Sequence, residues 1–371
     1  MSSDASAAAA SPMTNGSVPS GTGSHREADA SNNPATASST QHLQSLADVC
    51  ADLNQRVTSF LTASPESEVV KRTQEQTRIS IKVIEKALED YDFNALSLSY
   101  NGGKDCLVLL ILYLSTLHTH FTSQSAPTSH DATASVSSHP LSTTDTTISK
   151  FPTSIPSIYA KPPDPFPAVT SFVDSSSTQY HLSLTHIQTN PGTKPTTAKA
   201  NSHSSPPTSP EKQRTQAFET ETTQKDPSEA GRTITFRDAF AIYLHSHPSV
   251  RAIFVGTRRT DPHGSSLTHF DRTDGNWPDF MRIHPVIDWH LSEIWCFLRS
   301  PHLAPPNAEN EDGEEKHLDY CTMYDEGYTS LGGVNDTLRN PHLKYTDETG
   351  QERYKPAYTL TEDDEERLGR E

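Results

Sequence analysis

The chain has 371 residues, 32% of them hydrophobic and 27 of them proline, with 47 acidic against 30 basic side chains and a formal net charge of −17. Such a surface repels polyphosphate backbones, which argues against nucleic acid as the main partner, although a local Arg/Lys cluster can still take a phosphorylated small molecule. Cys50, Cys106, Cys296 and Cys321 are scattered with no CxxC pair, which suits a reducing compartment and provides neither a disulfide framework nor a zinc site.

Residues 1–40 are rich in Ala, Ser, Asn, Gly and Thr and read as a disordered tail. The first 25 residues hold no Arg or Lys, whereas a secretory or mitochondrial leader needs positive charge. The longest apolar run, Leu107 to Leu114, is short of a membrane span, so no membrane contact and a cytoplasmic location are expected. From Gln41 to Asp92 the apolar spacing predicts at least two amphipathic helices, with Ile79, Val83, Ile84, Ala87 and Leu88 on one stripe. Ala95 to Tyr100 then alternates as a strand does, Asn101-Gly102-Gly103 breaks it, and an apolar helix is expected from Asp105 to about His118. Low-complexity stretches at about 120–153 and 188–231 read as surface insertions. Between and after them come a strand at 155–159, a helix at 168–175, a strand at 180–187, a helix at 233–247 and a strand at 252–256. This alternation predicts one α/β domain over 41–371, a Rossmann-like doubly wound and mostly parallel sheet with N-terminal helices and a C-terminal extension.

The chemistry concentrates at strand ends. In Tyr100-Asn101-Gly102-Gly103-Lys104-Asp105-Cys106, adjacent glycines let backbone amides approach an anion at the start of a helix. Lys104 adds a cation, and Asp105 can hold a metal ion bridging phosphates. Asp rather than Ser or Thr follows the lysine, and the glycine spacing is wrong for a Walker loop. In Gly256-Thr257-Arg258-Arg259-Thr260-Asp261, Arg258 can clamp phosphate oxygens and Asp261 can hold Mg²⁺ or orient a substrate. Within Asp274 to Pro285, Trp277 and Phe280 are candidates for stacking on a flat ring, and Asp274 for accepting from a flavin or purine N–H; taken alone, Trp277 reads more readily as a core plug than as a cofactor platform. A helix capped at Asp288 is expected to follow. Arg367 and Arg370, after the acidic run Glu362 to Glu366, share a face of a short C-terminal helix, where they either compensate its dipole or serve a site.

The loop resembles the Ser-Gly-Gly-Lys-Asp-Ser loop of ATP pyrophosphatases and phosphoadenylylsulfate reductases, with an adenine nucleotide alpha hydrolase-like fold. Asn101 and Cys106 in the two serine places resemble the fungal and animal FAD synthases of that superfamily, as does Gly327-Tyr328-Thr329-Ser330-Leu331-Gly332. This resemblance implies a monomeric FMN adenylyltransferase that uses Mg²⁺, takes ATP and FMN, and forms FAD. It implies catalytic roles for Asn101, Asp105, Arg258 and Arg367, and ATP or phosphate binding by Tyr100, Gly102, Gly103, Lys104, Arg258 and Arg370. It further implies FMN binding by Asp261, Asp274, Trp277, Asp279 and Arg367, and metal binding by Asp105 and Asp261. The rival readings are a sulfonucleotide reductase, which would need a reactive cysteine in a C-terminal tail, and a nucleotide-binding regulator without catalysis.

Overall fold

The structure, a computed structural model, describes residues 44–124, 150–190, 233–306 and 316–370; the expected tail and most of both insertions lie outside these residues. Two helices lead in. Ser45 caps α1 (Leu46–Thr62): its hydroxyl accepts from the Asp48 amide at 3.3 Å, and the Asp48 carboxylate accepts in return from the Ser45 amide at 3.1 Å. Two otherwise orphan donors are thereby satisfied. The next helix, α2 (Glu68–Asp90), starts at Ser67 and buries Val83, Ile84, Ala87 and Leu88, but Ile79 lies off that face and Ser80 on it. Ser80 donates to the Pro285 carbonyl at 2.7 Å and accepts from the Trp289 indole at 2.9 Å, so this buried hydroxyl has its partners.

Five strands lie parallel: β1 (Leu96–Ser99), β2 (Ile155–Lys161), β3 (Leu182–Gln188), β4 (Ala252–Phe254) and β6 (Met281–Ile283). β5 (Phe270–Arg272) runs antiparallel on β6 at the edge, giving the order β3-β2-β1-β4-β6-β5. The helices α3 (Lys104–Gln124), α4 (Pro167–Gln179) and α5 (Phe236–Ser246) are spaced between the strands, and α6 (Leu291–Leu298) follows the last. Strand order reverses at β1, with β2 and β3 on one side and β4 and β6 on the other. The crevice beyond the carboxyl ends of β1 and β4 is where open α/β sheets bind ligands.

α3 is buried all round, with Leu107 to Leu114 at the centre of the core, and this burial holds the glycine turn before it in place. It reaches beyond the expected end near His118, and it is long and apolar enough to cross a membrane by length and composition, which the eight-residue run did not suggest; here it is a core helix. Asn190 and Ile234 form a bridge with N–H to O at 2.7 Å, so the two flanks of the second insertion meet at one point.

Two expectations need correction here. α6 starts at Leu291 after His290, not at Asp288: Glu293 accepts from the His290 amide at 3.0 Å, while Asp288 pairs with Arg259 at 2.6 Å. The turns from His284 to Trp289 put Trp289 into the core and delay the helix. At the C-terminus the expected helix is a 3₁₀ turn, Asp363–Glu365, followed by further turns. A hairpin of β7 (Lys344–Thr346) and β8 (Glu352–Tyr354) sits in the extension.

Candidate active site

Between β1 and α3 the chain must turn within Tyr100 to Gly103. Gly102 does this with φ of +73°, a conformation that side chains rarely adopt. An added Cβ there would stand 2.8 Å from Cγ2 of Val173, so Gly102 is packed beneath α4 and does not line the cavity, contrary to its expected role in holding phosphate. Tyr100 is corrected likewise: its ring is fully buried and its hydroxyl shares a hydrogen bond with Ser176 at 2.8 Å. Gly103 and Asn101 do front the cavity, the Gly103 amide donating to Oδ1 of Asn101 at 2.9 Å. The next amide, of Lys104, donates to the Tyr324 phenol oxygen at 2.9 Å.

Gly256, at the end of β4, closes the opposite wall. A Cβ there would lie 2.9 Å from both the amide nitrogen and the sulfur of Cys106. Gly256→Ala is expected to force β4 away from the first turn of α3 and to cost about 2 kcal/mol, measured as a lower urea midpoint with an unchanged slope.

The cations are placed less simply than the sequence suggests. Lys104 and Arg258 are 2% and 1% exposed. The Lys104 ammonium donates to Glu366, to Oδ2 of Asp105 at 3.1 Å and to the Thr329 carbonyl at 3.2 Å. Arg258 pairs with Glu366, with Asp363 at 3.2 Å and with Asp105 at 2.7 Å. The expected phosphate clamp is therefore a buried guanidinium committed to three carboxylates, and it does not line the cavity. Burial opposes its charge, but Asp105 and Glu366 more than offset this and hold its pKa above the usual value. Burial pushes the Asp105 carboxyl up, while Arg258 and Lys104 outweigh it and hold the group below the usual carboxylate range. Asp261 goes the other way, raised by burial and then by the nearby Asp105 charge.

Over this floor stands a cavity of about 220 Å³, walled by Gly103, Asp105, Asp261, Leu331, Arg367 and Arg370 among others. Arg367 lies 3.5 Å from Asp261, and Arg370 is held by Asp336 at 3.1 Å and Thr337 at 2.6 Å. The terminal arginines thus line one cavity with the glycine turn. Two polar atoms in the walls, Oδ1 of Asp105 and Oγ of Ser330, are buried without a hydrogen-bond partner; the Arg258 contact to Asp105 is close but off the hydrogen-bond line. Unpaired buried groups are costly, and a bound ligand or ion relieves them. A second cavity of about 200 Å³ shares Asn101, Leu331 and Arg370 with the first and extends past the end of β2 to Phe236.

Of the residues expected to bind a flavin, Asp261 and Arg367 line the first cavity, whereas Asp274, Trp277 and Asp279 lie on the β5–β6 connection and line neither cavity. Trp277 is 38% exposed, so it is no core plug; it packs edge-on to Phe236 at 6.3 Å and Phe240 at 6.0 Å between ring centroids. Phe236 is the link between it and the second cavity. Asp274 is exposed in a turn whose carbonyl accepts from the Trp277 amide at 3.2 Å. Asp279 instead pairs with Arg272 across the hairpin at 2.5 Å, which commits its carboxylate elsewhere. Phe280 is buried, stacked on Phe240. Sequence reasoning gave no site role to Tyr324, Asp363 or Glu366, and took Thr329 only as part of the motif at 327–332; Asp363 and Glu366 read only as members of an acidic run.

The parallel sheet, the glycine turn at its switch point and the charged floor define a nucleotide-binding α/β protein of the phosphoadenosine phosphosulfate reductase domain class, and the model of that family matches residues 95–307. A probable FAD synthase of Schizosaccharomyces pombe is 32% identical over 85% of this chain and 86% of its own length. The flavin adenine dinucleotide synthase of Saccharomyces cerevisiae is 30% identical over 81% of this chain and 77% of its own. Among solved structures, Candida glabrata FMN adenylyltransferase in complex with FAD and inorganic pyrophosphate is 26% identical, with a TM-score of 0.61 over 89% of this chain and 98% of that one. The chain belongs to the FAD synthase family.

Proposed function

We propose that this chain transfers AMP from ATP to FMN. A phosphate oxygen of FMN attacks the α-phosphorus of ATP, the bond from that phosphorus to the β-bridging oxygen breaks, and FAD and pyrophosphate leave. The observation that carries this reading is that Arg367 and Arg370 share one cavity with Gly103 and Asp105 at the switch point of the sheet. A phosphate monoester is ionised at neutral pH, so no strong general base is required. The demand is electrostatic: two anions must meet, and charge grows on the departing pyrophosphate.

Lys104, Arg258, Arg367 and Arg370 are each already paired with a carboxylate, so the protein alone offers little surplus positive charge. A divalent cation fits that need. Asp105 and Asp261 both stand in the cavity wall and repel each other across it, and Oδ1 of Asp105 accepts no hydrogen bond although Arg258 lies beside it. A Mg²⁺ site in a nucleotide enzyme commonly uses one or two carboxylates with phosphates and water completing it. Asp105 and Asp261 would hold the ion, which when bound supplies positive charge to the phosphate oxygens. Removing Mg²⁺ with EDTA should abolish FAD formation and added Mg²⁺ should restore it; turnover in metal-free buffer would reject the assignment.

Phe236 lines the second cavity and Trp277 packs edge-on to it, which supports a flavin contact there, with the Asp274 carbonyl accepting from the Trp277 amide. Trp277→Ala should raise the KM for FMN about tenfold, the scale of one lost aromatic contact, and leave the KM for ATP nearly unchanged. Equal rises would remove Trp277 from the flavin site. The reductase reading is disfavoured by the thiols: burial pushes Cys50 and Cys106 up to about 12 and raises Cys296 and Cys321, so none of these is poised as a thiolate nucleophile. Free cysteines also support a reducing, cytoplasmic setting. Purified protein given FMN and MgATP should form FAD and pyrophosphate one for one, and should release no sulfite from phosphoadenylylsulfate and a thiol. The opposite pair of results would reject the proposal.

A further inference from the structure

Glu366 is 4% exposed at the end of the acidic run, and its two carboxylate oxygens divide between Lys104 and Arg258. Its carbonyl accepts from the Thr329 hydroxyl at 2.5 Å, and that hydroxyl oxygen also receives Asn340 Nδ2 at 3.1 Å. On one side Asp363 is fixed by the Leu291 amide at 2.7 Å and by Arg258; on the other the Gly369 carbonyl accepts from the Leu338 amide at 2.7 Å. The segment is therefore anchored without help from the Glu366 side chain, and that carboxylate is a fixed anion, not a swinging lid. With Glu366, Asp105 and Thr329 as acceptors, all three ammonium hydrogens of Lys104 are engaged. Arg367, the next residue, faces the cavity.

We propose that Glu366 is a positioning residue, one carboxylate that holds Lys104 and Arg258 in fixed relation and, through its own main chain, sets Arg367 over the same cavity. This inference rests on the AMP-transfer reading. Replacing Glu366 by Gln removes a negative charge from the floor, so the cavity becomes more attractive to an anion and ground-state binding of ATP is not weakened. What is lost is the fixed placement of the Lys104 and Arg258 charges beneath the cavity, which matters most as charge builds on the leaving pyrophosphate, so the effect falls on turnover more than on binding.

The test is Glu366→Gln beside Glu366→Asp, with steady-state FAD formation and calorimetric binding of a non-hydrolysable ATP analogue. Glu366→Gln should lower kcat about 100-fold while analogue affinity stays within about threefold or tightens, the signature of misplaced charges. Glu366→Asp keeps the charge on a shorter stem and should recover about tenfold of that loss. A purely structural role would reduce affinity and kcat together; a carboxylate that merely competes with phosphate would raise kcat/KM when neutralised. Either result, wild-type kcat in Glu366→Gln, or no recovery in Glu366→Asp overturns the proposal. Should Glu366→Gln fail to fold, Thr329→Val removes the donor to the Glu366 carbonyl with no change of charge. It should lower kcat about tenfold at unchanged analogue affinity, and wild-type kcat there overturns the proposal too. Wild-type protein that forms no FAD would bring down the AMP-transfer reading and this inference together. Active wild type with an equally active Glu366→Gln would bring down the positioning role alone.

Discussion

Asp105→Asn is expected to lower kcat/KM for FAD formation about 1000-fold, or about 4 kcal/mol of transition-state stabilisation. Asn keeps the shape and one oxygen, so the loss isolates the charge. Three effects combine: the proposed metal site loses a ligand, Lys104 loses a counter-charge at 3.1 Å, and Arg258 loses one at 2.7 Å. The fold should survive, because Glu366 still pairs with both cations and Asp363 with Arg258. Melting temperature should therefore move little while activity collapses, and raising Mg²⁺ should recover only part of the rate. Activity within tenfold of wild type at ordinary Mg²⁺ would contradict the role given to Asp105.

Lys104→Met should be costly in a different way. Its pKa is lowered by burial and raised more by Asp105 and Glu366, so it is charged, and its removal strands anions in a dry site. Breaking a buried pair from one side costs about 3–5 kcal/mol. For a folded region of this size that is a melting temperature about 10 °C lower. FAD formation should fall as well, because the ammonium beside the cavity is gone. The double variant Lys104→Met/Glu366→Gln leaves fewer unpaired charges and should melt higher than Lys104→Met alone. A double variant that melts lower would show that the two side chains do not act as a pair.

How much of this was legible in the residues depended on whether a signal was local. The turn from Ser99 to Asp105 could be read because strand alternation, two glycines and a Lys-Asp pair are adjacent in the chain. The long helices were legible for the same reason, since period and caps repeat over many residues. β5 and β6 were missed because three residues carry too little alternation to stand out from a loop. Arg258 was found at the right strand end, but its counter-ions come from residues 105, 363 and 366, and linear spacing does not reveal such partners. For the same reason Asp363 and Glu366 read only as members of an acidic run. Gly102 was recognised as special for the wrong consequence: its missing side chain makes room for Val173 as well as for a left-handed turn. Tyr324 had no local signature, and only the fold brings its phenol to the Lys104 amide.

AMP transfer is tested most directly by following the α-phosphorus. With ATP labelled at that atom, FMN and Mg²⁺, the account predicts label in FAD and unlabelled pyrophosphate, in equal amounts. Label recovered only as AMP or ATP, with FMN unchanged, would contradict it.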